Sequence, residues 1–204
     1  MDAPRLILAS TSPRRRQLLA QLNVQFEVRS PQIDESIEPG ETAEAYVIRM
    51  ALQKGQAVAL KLQTTAHAAI LSADTIVVVD DQVLGKPASG EEAKRFLRQM
   101  SGRRHQVLTA VSLIIHTTDN QTMPRLRSVT TEVEFCEIGN QEIDWYVDTL
   151  EPSDKAGGYA LQGIAGAWVR RIEGSVSNVI GLPLVETLSM LTHAGIRLPW
   201  TPVP

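Results

Sequence analysis

Residues 5–22 run RLILASTSPRRRQLLAQL, and the fold is decided there. Arg5 to Ala9 is an apolar run of strand length, and Ser10-Thr11-Ser12-Pro13 follows with an N-cap serine and a proline at the first helical position. This predicts a helix from Pro13 to about Asn23 that buries Leu18, Leu19 and Leu22 on one stripe. Val24, Phe26 and Val28 then alternate with Gln25, Glu27 and Arg29, the period of a half-buried strand. Strand, helix and strand in direct succession are the signature of an α/β chain.

The rest of the chain extends that pattern. Pro31 to Gly40 is acidic and loop-like, and Thr42 to about Leu62 keeps Tyr46, Val47, Met50, Lys54, Ala57 and Val58 on one face of a long helix. Ala69 to Val79 is a nearly continuous apolar strand interrupted by Ser72, Asp74 and Thr75. Asp80-Asp81 turns it toward Val83-Leu84, and Gly85-Lys86-Pro87 breaks regular structure. Ser89 and Glu92 have capping-box spacing and open a helix that buries Ala93, Phe96, Leu97 and Met100 and stops at Gly102. Two long strands, near Gln106 to His116 and Leu126 to Cys136, are expected to pair across the polar turn 117–124. A helix from Asn140 to Leu150, a glycine-rich run from Ala156 to Gly163, a strand from Ala167 to Ile172, a loop from Gly174 to Gly181 and a helix from Pro183 to Gly195 complete the chain. With no repeat and no linker, the reading is one domain over residues 1–204, with two lobes around a cleft as its expected form.

Composition narrows the function classes. The 204 residues are 43% hydrophobic, enough for a substantial core, and no apolar run is long enough to span a membrane. Neither a signal peptide nor a disulfide is expected, since Cys136 is the single cysteine, so the expected location is the cytoplasm. His67, His105, His116 and His193 are scattered without metal-ligand spacing. A net charge of −3 and 4% aromatic content speak against a nucleic-acid-binding module, which needs a basic field and stacking platforms. An anionic ligand must therefore be met by a local cluster, and the clear one is Arg14, Arg15 and Arg16.

Four features carry chemistry. A helix start leaves backbone N–H groups unpaired and bears partial positive charge, so Ser10-x-Ser12-Pro13-Arg14-Arg15 forms either a phosphate cradle or a solvated helix end; Arg14 and Arg15 are nearest the tip. Asp74 stands amid Ile70, Leu71, Ile76, Val77 and Val78, where an ionised carboxylate is costly unless a cation compensates it. Glu35 in the acidic loop offers a second oxygen ligand for Mg²⁺ or Mn²⁺, with Asp34 as its rival. Lys54 lies on an apolar stripe, where it either snorkels to water or neutralises phosphate, and Lys86 is presented by a rigid Gly-Lys-Pro turn. Gln162, flanked by glycines, presents an amide donor and acceptor suited to a base edge. Neither GxGxxG nor a Walker pattern is present.

In order along the chain, Ala9-Ser10-Thr11-Ser12-Pro13-Arg14-Arg15, Ala73-Asp74-Thr75, Gly85-Lys86-Pro87, Ser101-Gly102, Asp154-Lys155-Ala156-Gly157 with Gln162-Gly163, and Val179-Ile180-Gly181-Leu182-Pro183-Leu184 resemble the Maf family of nucleotide pyrophosphatases. The resemblance runs from Leu6 to about Gly195, and the residues from Asp154 to Tyr159 with Gln162 are similar to the branch acting on dTTP and UTP. It implies a long curved mixed sheet flanked by helices, two lobes around a central cleft (the Maf and inosine triphosphate pyrophosphatase-like fold), and homodimers. It also implies hydrolysis of nucleoside triphosphates, modified pyrimidines included, to monophosphate and pyrophosphate with a divalent metal. By resemblance Asp74 is the proton acceptor; Arg14, Thr75 and Gln162 tune base preference; and Ser10, Arg15, Glu35, Lys54 and Lys86 share the pocket, while the oxygen ligands themselves make Asp74 with Glu35 the expected metal site. Ala160 and Leu161 replace the glycine and isoleucine of the family pattern, and Gly158 its alanine. Alternatives are a 7-methyl-GTP pyrophosphatase and a non-catalytic nucleotide-binding regulator of cell division.

Overall fold

A computed structural model describes residues 3–62, 67–117 and 124–200. Seven strands and six helices appear among these residues, in the order β1 (Arg5–Ala9), α1 (Pro13–Gln21), β2 (Phe26–Arg29), α2 (Ala43–Ala59), β3 (Ala68–Val79), β4 (Gln82–Leu84), α3 (Gly90–Met100), β5 (Arg104–His116), β6 (Arg125–Phe135), α4 (Asn140–Asp148), β7 (Val169–Glu173), α5 (Val176–Ile180) and α6 (Leu184–His193). Three short 3-10 segments lie between α4 and β7. The strands form one mixed sheet in the order β2-β1-β3-β5-β6-β7, with β4 paired to β3.

The opening stretch folds as its pattern dictates. β1 pairs in parallel with β2 and with β3, placing Ile7 opposite Glu27 on one side and Ile70 on the other. A strand flanked on both edges and covered on both faces must be apolar throughout, and Leu6 to Ala9 are all buried. β2 is an edge strand, and there the expected alternation fails: Val28 is exposed. The β3–β4 turn is tight because Asp80 and Asp81 both adopt positive φ, 48° and 61°, the two-residue geometry that matches strand twist. Ser89 caps α3 by accepting from Glu92 N, while the Glu92 carboxylate accepts from Ala88 N, one residue before the reciprocal position of a capping box.

Three expectations need correction. The stretch 174–181 is not all loop, since α5 occupies Val176–Ile180. The strand expected from Ala167 starts at Val169, after a 3-10 segment that ends at Trp168. Pro183 is the N-cap of α6, with ψ of 106°, and not its first helical residue. Most of the turn expected over 117–124 lies outside the described residues. Among the described residues no helix is long and apolar enough to cross a membrane.

The chain divides into two compact units built from separated stretches: unit 1 from residues 1–74, 110–128 and 181–204, unit 2 from residues 75–109 and 129–180. Unit 1 has a core of Ile7, Ala9, Val58, Leu62, Ala68, Ile70 and Ile114. In it α2 lies close to β3 at Gly55, where a Cβ would stand 2.8 Å from Ser72 Oγ and 3.0 Å from Ile114 Cδ1. Unit 2 has an aromatic core in which Phe135, Tyr159, Trp168 and Tyr146 meet edge to face, joined by His105. Gly157 approaches β3 so closely that a Cβ would fall 2.8 Å from Val77 Cγ2, and its φ of 66° suits glycine.

His105 is 3% exposed, and its Nε2 lies 2.8 Å from the Tyr159 hydroxyl. Burial disfavours the imidazolium and pushes its pKa down to about 4. Between that value and the ordinary 6.5 the unfolded chain binds the proton and the folded chain does not, so stability falls as pH drops through this window. His105→Gln abolishes this component: the difference in urea-unfolding free energy between wild type and variant changes by up to about 3 kcal/mol from pH 7.5 to pH 4. Parallel pH profiles for the two proteins would contradict this account of His105. Gly55→Val is expected to cost about 1–3 kcal/mol of stability by the same measurement, because the added methyls overpack the α2–β3 contact.

Candidate active site

Two polar residues two apart on β3 face α2 inside unit 1. Ser72 Oγ donates to Ala51 O at 2.6 Å, and Asp74 Oδ1 accepts from Lys54 Nζ at 2.6 Å. Strand residues i and i+2 share a face and helix residues i and i+3 share another, so Ser72 and Asp74 align with Ala51 and Lys54 as a polar seam in an apolar layer. The cation that Asp74 requires is supplied by the protein itself. Lys54 does not snorkel: its side chain is 9% exposed, and its ammonium also meets Glu35 Oε1 at 2.8 Å. In the acidic loop Glu35 reaches the lysine, whereas Asp34 turns its carboxylate back to accept from Ser36 N. Asp34 is thereby held below the usual carboxylate range, first by that backbone hydrogen bond.

Two residues that the sequence reading assigned no role hold the loop in place. Arg49 forks onto Glu41 with contacts of 2.7 and 2.6 Å and donates to Ser36 O at 2.9 Å, and its guanidinium lies 5.5 Å from the Tyr46 ring centre. The Tyr46 hydroxyl donates to Glu35 O at 2.9 Å, and Tyr46, Met50 and Lys54 recur every fourth residue on α2. Burial first, then the negative charges of Asp74 and Glu35, push the Tyr46 phenol up to about 12. Their signal in the sequence was the i, i+4 stripe for Tyr46 and the loop acid Glu41 eight residues before Arg49.

At the tip of α1, Ser10 Oγ accepts from Ser12 N at 3.1 Å and Ser12 Oγ accepts from Arg15 N at 3.4 Å. Those two backbone donors are thus spent on serine hydroxyls. Arg15 is anchored by Nε to Gly181 O at 2.8 Å. Desolvation lowers its pKa, an effect opposed by the charge of Asp74 and reinforced by Arg14. Unit 1 therefore brings Arg14, Arg15, Glu35, Lys54 and Asp74 into one electrostatic group, while Ser10 is buried before the tip of α1.

Thr75, Lys86 and Gln162 belong to unit 2. Thr75 Oγ1 lies 2.9 Å from Thr109 Oγ1. Lys86 and Gln162 are exposed on two turns, and the 3-10 segment Ala156–Gly158 is tied to the first of them where Gly157 N donates to Gly85 O at 3.0 Å. The turn of Gln162 is closed by Gly163 N to Ala160 O, and the Glu151 carboxylate accepts from Ile164 N. Among the described residues no three His, Cys, Asp or Glu side chains cluster in a way that could hold a metal by themselves.

Removing one partner of a buried ion pair leaves the other uncompensated, whereas removing both does not. Lys54→Met is therefore expected to lose about 3–5 kcal/mol of stability in chemical denaturation, and the double variant Lys54→Met/Asp74→Leu to recover most of it. Additive losses in the double variant would mean that the seam does not act as a pair.

The chain is 50% identical over 198 residues to a dTTP/UTP pyrophosphatase of Anaeromyxobacter dehalogenans, covering 97% of this chain and 98% of that one. It is 45% identical over 196 residues to a dTTP/UTP pyrophosphatase of Shewanella oneidensis, covering 94% and 98%. Among solved structures the Ham1 protein of Staphylococcus aureus matches with a TM-score of 0.50 at 17% identity, covering 93% of this chain and 98% of that chain, which speaks to the fold alone. The model of Maf-like proteins matches residues 5–194, and with that span and those identities the chain belongs to the Maf family.

Proposed function

We propose that this protein hydrolyses dTTP and UTP between the α- and β-phosphates, releasing the nucleoside monophosphate and pyrophosphate. The relatives at 45 to 50% identity bear the name of that activity over nearly their full length. The observation that carries the chemistry is the buried Asp74 carboxylate, held beside Lys54 and within the field of Arg15. Asp74 accepts the proton of a water whose oxygen bonds to the α-phosphorus as the bridging P–O bond to pyrophosphate breaks. General-base assistance of this kind contributes roughly 10²–10⁴-fold. Lys54, Arg14 and Arg15 offset the charge of the triphosphate and of the leaving pyrophosphate, a role the family resemblance extends to Lys86, so positioning and electrostatics supply most of the remaining rate.

The donor set also fits a divalent cation. Asp74 and Glu35 each direct a carboxylate oxygen at one point, taken here by Lys54 Nζ, and Mg²⁺ is commonly held by one or two carboxylates together with substrate phosphates. Asp74 and Glu35 would hold Mg²⁺ or Mn²⁺ there, which when bound supplies charge neutralisation to the phosphate oxygens. Base choice falls to Thr75, with Arg14 and Gln162, because a site that hydrogen-bonds the imide edge of a pyrimidine leaves its polar atoms unpaired when another base enters. A cytoplasmic location and a homodimeric state complete the reading, resting on the family resemblance and, for the location, on the lone Cys136.

The test is a panel of ordinary and modified nucleoside triphosphates, with and without Mg²⁺ or Mn²⁺, with both products identified. dTTP and UTP are expected to give monophosphate and pyrophosphate in a metal-dependent way, with purine triphosphates and CTP poor substrates. Asp74→Asn is expected to lower kcat by about 10²-fold or more while remaining folded. Equal hydrolysis of all nucleotides would remove the base assignment, and undiminished turnover by Asp74→Asn would remove the mechanism.

A further inference from the structure

Asn178 is completely buried in unit 2, in the middle of α5. Its Nδ2 donates to Val107 O and to Thr131 Oγ1, both at 2.9 Å. Thr131 Oγ1 in turn accepts from Ser175 N at 3.0 Å and donates to Ser175 O at 3.3 Å. These bonds fasten the start of α5 to β5 and β6. A helix of five residues cannot pair its own last four carbonyls, and the Asn178 carbonyl is one of them. Its donor is Thr109, a fully buried residue of β5, whose Oγ1 lies 3.1 Å away.

A threonine hydroxyl carries one proton and two lone pairs. The carbonyl of Asn178 only accepts, so the Thr109 proton goes there, and the 2.9 Å bond between Thr109 and Thr75 must be donated by Thr75. Toward any further group that hydroxyl then offers lone pairs. We propose that Thr109 and Asn178 are positioning residues that fix the hydrogen-bond polarity of Thr75, making it an acceptor that selects pyrimidines protonated at N3, uracil and thymine, over cytosine. The proposal rests on the reading above in which Thr75 meets the base. Uracil or thymine N3–H donates to such an oxygen. Cytosine N3 sets a lone pair against it, leaving two acceptors facing each other away from water.

The experiment compares kcat/KM for UTP and CTP in wild type, Thr109→Val, Thr109→Ser and Thr75→Val. Thr109→Val removes the acceptor that orients the Thr75 proton, so the preference for UTP over CTP is expected to shrink by about tenfold or more, chiefly through a gain on CTP, while Thr109→Ser keeps it. An equal fall on both nucleotides in Thr109→Val, with the preference intact, would overturn the proposal by reducing Thr109 to a structural role. Thr75→Val separates the two levels. If it collapses the preference and Thr109→Val does not, the base reading stands and the polarity relay falls. If it leaves the preference unchanged, Thr75 does not read the base and both fall together.

Discussion

The ammonium of Lys54, held between Asp74 and Glu35, is the contact on which the rest of unit 1 depends. A carboxylate inside an apolar strand is tolerated only with its counter-charge in place, and a lysine on the buried face of α2 is tolerated only with its carboxylates. Each makes the other possible, and together they fix where α2 crosses β3. The close approach at Gly55 and the bond from Ser72 to Ala51 O follow from the same crossing.

Around this contact the chain spends further residues on orientation. Arg49 and Tyr46 fasten the acidic loop to α2 so that Glu35 reaches the lysine, and Gly181 anchors the guanidinium of Arg15. The group is rich in charge of both signs, which suits it to the polyanion and accompanying cation proposed above. Unit 2 contributes a different kind of order, an aromatic core and a chain of hydrogen bonds from Thr75 through Thr109 to the Asn178 carbonyl.

Much of this was legible in the sequence, for identifiable reasons. The α/β class, the limits of β1, α3 and β3 and the starts of α1 and α2 followed from periodicity, the Ser-Pro helix start and the Ser89 cap, all of which act within a few residues. Asp74 stood out because an acid in an oily strand needs an explanation, and Lys54 because a lysine broke an apolar stripe. What stayed hidden was which of the two answered the other, since a contact across twenty residues leaves no local trace. The same holds for Arg49 with Glu41, for Thr75 with Thr109 and for the buried Asn178, whose role depends on sheet order. α5 was missed because five residues carry too little periodicity to register, and Val28 was misjudged because alternation alone does not tell an edge strand from a covered one.

Hydrolysis of dTTP in water enriched in ¹⁸O puts the central claim to the most direct test, with both products analysed by mass. Water activated at Asp74 and delivered to the α-phosphorus predicts the label in the thymidine monophosphate and none in the pyrophosphate. Label in the pyrophosphate would place the attack at the β-phosphorus and contradict the account.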